Sequence, residues 1–517
     1  MRNLVVIFGD QLDAESAVFD DFDNERDRVW MAEVEEETAH VHQHKVTFFL
    51  AAMRHFAAQQ RDAGRAIAYH QLHASAEKDR GSSFREVLSQ DIKRLGPERL
   101  VLVEPGDHRV REQVFAAAEH RGIDIELRPD RHFYCSSEAF EDWSRGKKEL
   151  VLEYFYRKLR KDFSILVDED GRPEGGEWNF DKANRESFGN DGPPSDLRPL
   201  PSFEPDTITK QVISMVENRF PENPGDARTF SLPVTRAAAL EHLDGFIKKA
   251  LPNFGRFQDA MTEGDAVLFH SRLSALLNTK LLSPRDCVDR AVRAYEQQKA
   301  PLNSVEGFVR QILGWREFIR GIYNSHMPGY ARKNALRAKA ELPSFFWDGQ
   351  TDMKCVHDSM QAVLRIGYAH HIHRLMVLGL FSQLWGVHPY RFHEWHMKMY
   401  VDAVDWVSLP NTLGMSQYGD GGIVGTKPYV ATGKYIQKMG PFCSTCPYDP
   451  KKAVGEEACP FTTLYWDFLV RHRDQLQSNQ RMALQLKNID RKKPEELDAI
   501  RSRVRSLKAR VGKGTRI

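Results

Sequence analysis

The stretch NLVVIFG (Asn3–Gly9) is a short apolar run that ends in glycine, and four similar runs follow it. They are RVWMAEV (28–34), AIAYHQL (66–72), RLVLVEP (99–105) and IDIELRP (123–129). Between them lie stretches of helical periodicity, such as KVTFFLAAMRHFAAQQRDAG (45–64) and FREVLSQDIKRLG (84–96). Strands that alternate with helices predict a doubly wound parallel sheet, which binds ligands beyond the carboxyl ends of its strands.

Polar residues follow several of these predicted strands. The first loop, GDQL (Gly9–Leu12), is not G-x-G-x-x-G, so it does not indicate binding of a dinucleotide pyrophosphate. Because the carboxyl ends of parallel strands share one edge of the sheet, residues there form a candidate small-ligand site, with an empty vestigial pocket as the alternative. The candidates are Gly9, Asp10, Gln11, Glu33, Val34, Lys45 and Glu104.

The second part of the chain has helical periodicity throughout. A polar segment rich in glycine and proline, FGNDGPPSDLRPLPSFEPD (188–206), comes first and predicts a connector. Amphipathic stretches then include SVEGFVRQILGWREFIRGIY (304–323) and MQAVLRIGYAHHIHRLMVLGLF (360–381). We therefore expect an α/β domain (1–134), an interdomain connector (135–207), an all-α domain (208–480) and a basic C-terminal tail (481–517).

Composition suggests the compartment. Six cysteines in 517 residues are too few for a disulfide framework. The N-terminus lacks the pattern of a signal peptide, and no run approaches the ~18 apolar residues of a membrane span. We expect a cytoplasmic monomer without membrane contact, whose thiols are free to bind a metal. From Arg481 onward, twelve Lys and Arg stand against four Asp and Glu, a charge that suits either a solvated helix or contact with a polyanion.

Three cysteines lie close together in CSTCPYDPKKAVGEEACP (443–460). Cys443, Cys446 and Cys459 supply three thiols, and Cys355 is the best fourth because Cys135 and Cys287 lie in ordinary helix and strand-end sequence. Structural zinc favours two paired knuckles, whereas iron-sulfur clusters accept a lone cysteine and often have proline after a ligand. The spacing favours a cluster, with zinc and unliganded buried thiols as alternatives.

Histidines form a second concentration, with six between His370 and His396. The sequence HEWH (393–396) is one residue short of the H-E-x-x-H spacing that binds zinc on one helix face. The doublet His370-His371 lies in a strongly apolar helix, where a buried polar ring needs a reason.

Several motifs, taken in order, resemble the DNA photolyase and cryptochrome family, and in particular its bacterial branch with an iron-sulfur cluster. They are HSRLSALLNTKLLSP (270–284), FVRQILGWREFIRG (308–321), AHHIHRLM (369–376) and DAVDW (402–406), together with GDQL, AMRHFA, EYFYR, WNFD, GTKPY and the cysteine pattern. The resemblance covers the chain to about residue 480. It implies an N-terminal domain that holds an antenna chromophore, here 6,7-dimethyl-8-ribityllumazine, and a helical domain that holds FAD.

The resemblance also implies residue roles. Asp402 and Asp405 would face the isoalloxazine, and the four cysteines 355, 443, 446 and 459 would hold a [4Fe-4S] cluster. The remaining FAD contacts would be Phe254, His270, Ser271, Arg272, Leu273, Ser274, Gln311, Trp315, Arg374 and Asn411. Trp395 and Trp347 resemble positions of an electron-transfer chain that feeds the flavin.

The implied activity is light-driven repair of (6-4) photoproducts in UV-damaged DNA by an electron from reduced FAD. His371 aligns with the catalytic histidine of the family, its neighbour His370 belongs to the same motif, and Tyr429 is a candidate lesion contact. The basic stretches Tyr330–Glu341 and Thr426–Lys438 would flank the lesion pocket.

Two positions depart from the family pattern. Leu375 stands where eukaryotic (6-4) enzymes carry a second histidine, and Leu409 stands where an asparagine usually faces the flavin. A cryptochrome-type blue-light photoreceptor is therefore the alternative function, and a zinc-dependent hydrolase built on the His and Cys residues is a remote one.

Overall fold

The apolar runs of the N-terminal part form one parallel sheet in the computed structural model, which describes every residue except Asn190 and Asp196. Within the described residues the sheet has five strands in the order β3-β2-β1-β4-β5. They are β1 (Asn3–Val6), β2 (Arg28–Ala32), β3 (Ile67–His70), β4 (Arg99–Val103) and β5 (Asp124–Arg128). The predicted doubly wound sheet is confirmed, and the strand order reverses between β1 and β4, where such sheets leave a ligand crevice.

The two faces of the sheet belong to different cores. Its flanking helices are α1 (Gln43–Asp62), α2 (Phe84–Leu95) and α3 (His108–Arg121). Leu4 and Val6 pack with residues of α2 and α3. Val5 and Ile7 pack on the other face with α1 and join a core that continues into the helical domain. The alternation follows from the two-residue period of a strand, and it ties the two parts of the molecule together.

The segment predicted as a connector begins with two helices, α4 (Ser137–Ser144) and α5 (Leu152–Asp162). Phe140 and Phe155 each lie 6.0 Å from the ring of Phe318 in the helical domain. The amphipathic pattern of α5 places its apolar face in that core, so the extended connector starts only after it. Part of that connector, Asn190 and Asp196, lies outside the described residues.

The rest of the chain is helical, as predicted. The helices are α6 (Thr207–Arg219), α7 (Arg236–Lys249), α8 (Leu251–Phe257), α9 (Ser274–Asn278), α10 (Pro284–Glu296), α11 (Leu302–Val309), α12 (Glu317–His326), α13 (Phe345–Asp348), α14 (Lys354–Ile366), α15 (Leu380–Trp385), α16 (Pro389–Met399), α17 (Asp405–Leu409), α18 (Gly433–Met439), α19 (Pro460–Arg471), α20 (Arg473–Leu476), α21 (Ala483–Lys487) and α22 (Pro494–Gly512). Wider π-helical turns occur at Arg310–Arg316, His373–Gly379 and Pro410–Ser416, a feature common at functional sites.

The basic tail does not project from the molecule. Helix α22 buries Ile500, Val504 and Leu507 and packs on α19. Arg503, although charged, is buried and bonds the carbonyl of Glu456 at 2.9 Å. The positive charge of the tail therefore lies on the outer face of a docked helix.

Candidate active site

A cavity of about 610 Å³ lies within the helical domain. Residues of α9, α16 and α17 form its walls, together with the π-helical turns 373–379 and 410–416. The lining consists of Ser274, Asn278, His371, Arg374, Leu375, Phe392, His396, Asp402, Val407, Ser408, Asn411, Thr412, Met415 and Ser416. Ser274, Arg374, Asp402 and Asn411, predicted as flavin contacts from separate motifs, thus meet in one cavity.

An ion pair organises one wall of this cavity. Arg374 Nη1 lies 3.0 Å from Asp402 Oδ1, and the Ser274 hydroxyl donates to the other carboxylate oxygen. Burial alone would raise the pKa of Asp402, but the Arg374 charge and these two hydrogen bonds lower it below its usual value. The guanidinium also lies 4.0 Å from the ring centroid of Tyr400. Arg374 is therefore a fixed cation at the cavity wall, suited to an anionic ligand.

His371 and His370 face different surroundings although they are adjacent. The His371 side chain is exposed at the cavity, and desolvation by the cavity walls, with the Arg374 charge, lowers its pKa to about 4. His370 is fully buried behind the cavity, stacked on His270 at 4.3 Å and in edge contact with His373 at 4.3 Å. At neutral pH, His371 is the neutral imidazole that a ligand in the cavity can reach.

A hydroxyl-bearing face was missed by the sequence analysis. Ser408, Thr412 and Ser416 line the cavity at four-residue intervals on α17 and the following π-helical turn. The sequence SLPNTLGMS (408–416) has small polar residues four positions apart, and this helical spacing could have predicted that they share one face. Asn278, Phe392 and His396 were missed as well, and the buried Nδ1 of His396 has no hydrogen-bond partner among the described residues.

Other predicted flavin contacts are not among the described residues that line the cavity. Phe254 meets His270 edge-on at 5.6 Å. Arg272 has a positive φ of 53° and lies 5.2 Å from the Tyr368 ring. The remaining members are Ser271 and Leu273, which precede α9, and Gln311 and Trp315, which lie on the π-helical turn 310–316.

Asp405 points away from the cavity. Its carboxylate accepts a hydrogen bond from His393 Nε2 at 2.9 Å and another from the Tyr323 hydroxyl. Asp402 lies before α17, and Asp405 is the first residue of this helix. The two acids of the motif therefore have different surroundings, with Asp402 at the cavity and Asp405 beside His393 and Tyr323.

Of the two predicted electron-transfer tryptophans, Trp395 lies in an aromatic cluster beside the cavity, and Trp347 follows the cluster member Phe346 in the chain. Trp395 is buried and stacks at 5.6 Å on Phe392, which lines the cavity. Its indole N–H donates to the carbonyl of Phe346 at 2.8 Å, and the two rings lie 5.2 Å apart. The next residue, Trp347, is 45% exposed. Aromatic contacts thus link the cavity to Phe346, whose neighbour in the chain, Trp347, lies at the surface, and an aromatic path for electrons from Trp347 to the cavity stays a prediction.

The four predicted cysteine ligands line a second cavity of about 310 Å³. Its other walls are mainly apolar and come from Met353, Gly433, Ile436, Phe442, Tyr448 and Phe461. Burial and the three neighbouring thiols raise the pKa of Cys355. In the described part of the chain, no group of three or more His, Cys, Asp or Glu side chains that could hold a metal ion is found. The four thiols thus share one cavity.

A third cavity, of about 370 Å³, lies at the strand-order reversal between β1 and β4. Asp10 and Gln11 after β1 meet Glu104 after β4 there, as predicted, and burial raises the pKa of Asp10 to about 6. The helical domain closes it with Phe133, Asn278, Lys280, Arg316, Arg320, Asn324 and Trp406.

The other predicted strand-end residues are engaged elsewhere. Glu33 is buried in a two-bonded pair with Arg54 and also accepts the Leu72 N–H at 2.7 Å. Val34 belongs to the sheet core. Lys45 donates to the Met397 carbonyl at 2.7 Å, and burial lowers its pKa to about 8. Gly9 packs against α1, where a Cβ would lie 3.1 Å from Met53.

Exposed cations and a tyrosine mark the predicted lesion rim. Arg332, Arg337 and Lys339 are exposed and form no ion pair with the described residues. Tyr429 is half-buried, and burial raises its pKa, while the charge of Arg481 lies nearby.

Comparison with known proteins identifies relatives over most of the chain. The family model of deoxyribodipyrimidine photo-lyase-related proteins matches residues 5–232. The (6-4) photolyase of Agrobacterium fabrum (strain C58 / ATCC 33970) is 44% identical over 486 residues, which are 93% of this chain and 94% of the relative.

Solved structures show the same fold at lower identity. A bacterial class III photolyase from Agrobacterium tumefaciens superposes with a TM-score of 0.56 at 14% identity, covering 99% of this chain and 98% of that one. The Synechocystis sp. PCC6803 cryptochrome gives 0.52 at 14% identity, covering 85% and 88%. No helix in the described part of the chain has the length and hydropathy of a membrane span. The resemblance drawn from the motifs is thereby confirmed, and the chain belongs to the photolyase family, among its deoxyribodipyrimidine photo-lyase-related members.

Proposed function

We propose that this protein repairs (6-4) pyrimidine photoproducts in DNA with light, using FAD. The observation that carries the proposal is a single cavity in which His371 stands beside the Arg374–Asp402 pair. This cavity thus contains the Arg374–Asp402 pair, which we assign to the cofactor, and His371, which we assign to the lesion. The 44% identical relative is named a (6-4) photolyase, which supports the same reaction.

The donor set of the cavity fits FAD. The cavity is concave and combines apolar walls with a few polar groups, as cofactor sites do. Arg374 would bind an anionic part of the cofactor, and Ser274, Asn278 and Asn411 would supply hydrogen bonds. The unpartnered Nδ1 of buried His396 is a further polar group that a ligand can satisfy. When bound and excited, reduced FAD supplies the electron that splits the lesion and recovers it afterwards.

The role proposed for His371 is to move a proton at the lesion. Its pKa of about 4 describes the protein groups alone, and the anionic phosphates of cofactor and DNA would raise it. His370 is buried against His270 and has no path to a ligand, so we assign it the task of fixing the helix behind His371. Tyr429 and the exposed cations of residues 330–341 would contact the flipped lesion and its flanking phosphates.

We further propose a [4Fe-4S] cluster in the cysteine cavity and a lumazine antenna at the strand-order reversal. Four thiols that line one cavity supply the ligand number of a [4Fe-4S] cluster, and the lone Cys355 and Cys459 favour a cluster over the paired knuckles of structural zinc. The antenna cavity offers Phe133 and Trp406 as flat walls, and buried Gln11 Oε1 as an unsatisfied acceptor. The thiols of the first cavity can ligate iron, and the aromatic walls and unsatisfied amide oxygen of the second can contact a flat heterocycle.

The test of the repair function is His371→Ala against His120→Ala, an exposed histidine on α3. Each protein is reduced, mixed with an oligonucleotide that carries a (6-4) thymine adduct, illuminated with blue light and assayed by chromatography. We expect His371→Ala to lose repair while FAD content holds and lesion affinity stays within about tenfold, or ~1.4 kcal/mol. If neither the wild type nor the His120→Ala control repairs the lesion, the photoreceptor function is favoured. If His371→Ala repairs the lesion at the wild-type rate, His371 has no role in the mechanism.

A further inference from the structure

Leu484 is the most exposed large apolar side chain among the described residues, at 71%. It lies on α21, in the segment QRMALQLKNIDR (480–491). Met482, Leu486 and Ile489 of this segment recur at the four- and three-residue intervals of one helix face, and all three are buried. Leu484 lies on the opposite face, so the packing of the segment does not need it.

A single exposed leucine is common on protein surfaces, so its position decides what it can do. The chain just before Leu484 is hydrogen-bonded to both of the basic stretches that we place around the lesion. The Gln475 amide donates to the carbonyl of Ala335 in the first stretch. The Asn479 amide donates to the carbonyl of Thr426, where the second stretch begins, at 3.0 Å. The segment that carries Leu484 is therefore fixed to both.

The second basic stretch also borders the cavity. A Cβ on Gly425 would lie 3.3 Å from the Tyr429 ring and 3.8 Å from the Cα of Met415, which lines the cavity. Tyr429, the predicted lesion contact, is thus a close neighbour of the cavity wall. The charge of Arg481 opposes the rise that burial causes in the pKa of Tyr429, which places this cation nearby. Because Arg481 is three residues before Leu484, the two side chains share the outer face of the segment.

The surface around Leu484 is positive. The exposed cations that form no ion pair with the described residues are Arg481, Lys487, Arg491 and Lys493. The single acid between them, Asp490, is already paired with Arg473 at 2.8 Å. An apolar side chain among free cations is typical of proteins that insert a wedge between base pairs while they bind the flanking phosphates. The charge of this surface therefore fits DNA.

We propose that Leu484 enters the DNA duplex as a wedge and occupies the gap that a flipped lesion leaves. The inference deepens the proposed function and rests on it. Extrusion of a lesion breaks its stacking, and an apolar side chain in the gap restores contact with the neighbouring bases. The four free cations would bind the flanking phosphates. Single-stranded DNA has no partner strand and so leaves no gap between stacked base pairs.

The experiment compares Leu484→Ala and Leu484→Met with Leu127→Ala, a control at an exposed leucine of β5. Affinity for an oligonucleotide that carries a (6-4) thymine adduct is measured in the dark by fluorescence anisotropy, for the duplex and for the single strand. We expect Leu484→Ala to bind the lesion duplex about tenfold more weakly, because burial of each carbon contributes roughly fourfold, and to bind the single strand within about twofold of wild type. Methionine, which also serves as a wedge, should keep the affinity within about threefold. Leu127→Ala should match wild type.

The cations have a separate measurement. Lys487→Gln should weaken binding to the lesion duplex and to the undamaged duplex alike, and it should reduce the slope of log affinity against log salt by ~0.9. Leu484→Ala should leave this slope unchanged, because it removes no charge. An unchanged slope for Lys487→Gln would overturn the placement of the duplex on this surface.

The outcomes separate the wedge from the repair function. If wild type prefers the lesion duplex to the undamaged duplex and Leu484→Ala binds it like wild type, the wedge is overturned and the repair function stands. Equal weakening on duplex and single strand would also overturn the wedge, since the leucine would then contact one strand only. A wild-type dimer that Leu484→Ala dissociates in sedimentation would assign the leucine to a contact between two copies instead. If wild type neither prefers the lesion nor repairs it, the proposed function fails and the wedge with it.

Discussion

Gly433 offers a sharp test of the cysteine cavity, because the space beside it is occupied by a sulfur atom. A Cβ at this position would lie 2.7 Å from Cys459 Sγ and 3.1 Å from Pro450 Cβ. Ordinary contacts of this kind are about 3.5–4 Å, so Gly433→Ala requires a shift of about 1 Å. Pro450 blocks retreat of the helix, since its Cα is already 3.4 Å away. The movable atom is therefore the sulfur.

The magnitudes decide the outcome. Glycine-to-alanine substitution within a helix gains about 0.4–1 kcal/mol from the unfolded chain, whereas overpacking costs about 1–3 kcal/mol. Metal–ligand distances hold within about 0.2 Å, so a displacement near 1 Å takes Cys459 out of ligand range. We expect Gly433→Ala to lose most of its iron and to lower the free energy of unfolding by ~1–2 kcal/mol.

The assay measures iron and acid-labile sulfide per chain and unfolding by denaturant. Gly512→Ala is the matched control, because its Cβ would have no atom within 4 Å. Iron and sulfide at wild-type levels in Gly433→Ala, with unchanged stability, would refute the reasoning. About one zinc per chain in wild type would instead reject the cluster.

Three further outcomes follow from the described contacts. Trp395→Phe should slow light-driven flavin reduction with FAD content nearly intact, and unchanged rates in both Trp395→Phe and Trp347→Phe would reject the aromatic path. Because the pKa of Asp402 is lowered by folding, its ion pair stabilises the protein above the unfolded pKa of ~3.9 and loses this effect as pH falls through the folded value. Asp402→Asn should thus cost ~3–5 kcal/mol at neutral pH and progressively less in acid, and a cost independent of pH would contradict this. Chromophores released by heat from protein made in a lumazine-producing host should include the lumazine beside FAD, whereas FAD alone would argue for an empty crevice.

The local sequence pattern predicted the helices and strands and several of the motifs that meet at the cavity. It did not predict the direction in which individual side chains point. His370 and His371 show the limit. His370 lies just before the helix that resumes at His371, so the two rings take different directions, and the sequence pattern does not tell which one reaches the cavity. Asp402 and Asp405 separate in the same way, because a helix begins between them. Ser408 and Thr412, in contrast, followed a helical spacing that the sequence displays.

The order of the strands in the sheet could not be predicted from the local sequence pattern. All strand ends were expected to converge, yet a crevice opens only where the order reverses, between β1 and β4. Asp10 and Glu104 therefore meet, while Glu33 after β2 pairs with Arg54 in the interior. The reversal has a functional consequence, because Asn278 lines both this crevice and the flavin cavity and bonds the Asp402 carbonyl at 2.8 Å. A chromophore in the crevice would thus lie one side chain from the cofactor cavity, which is close enough for efficient energy transfer between two pigments.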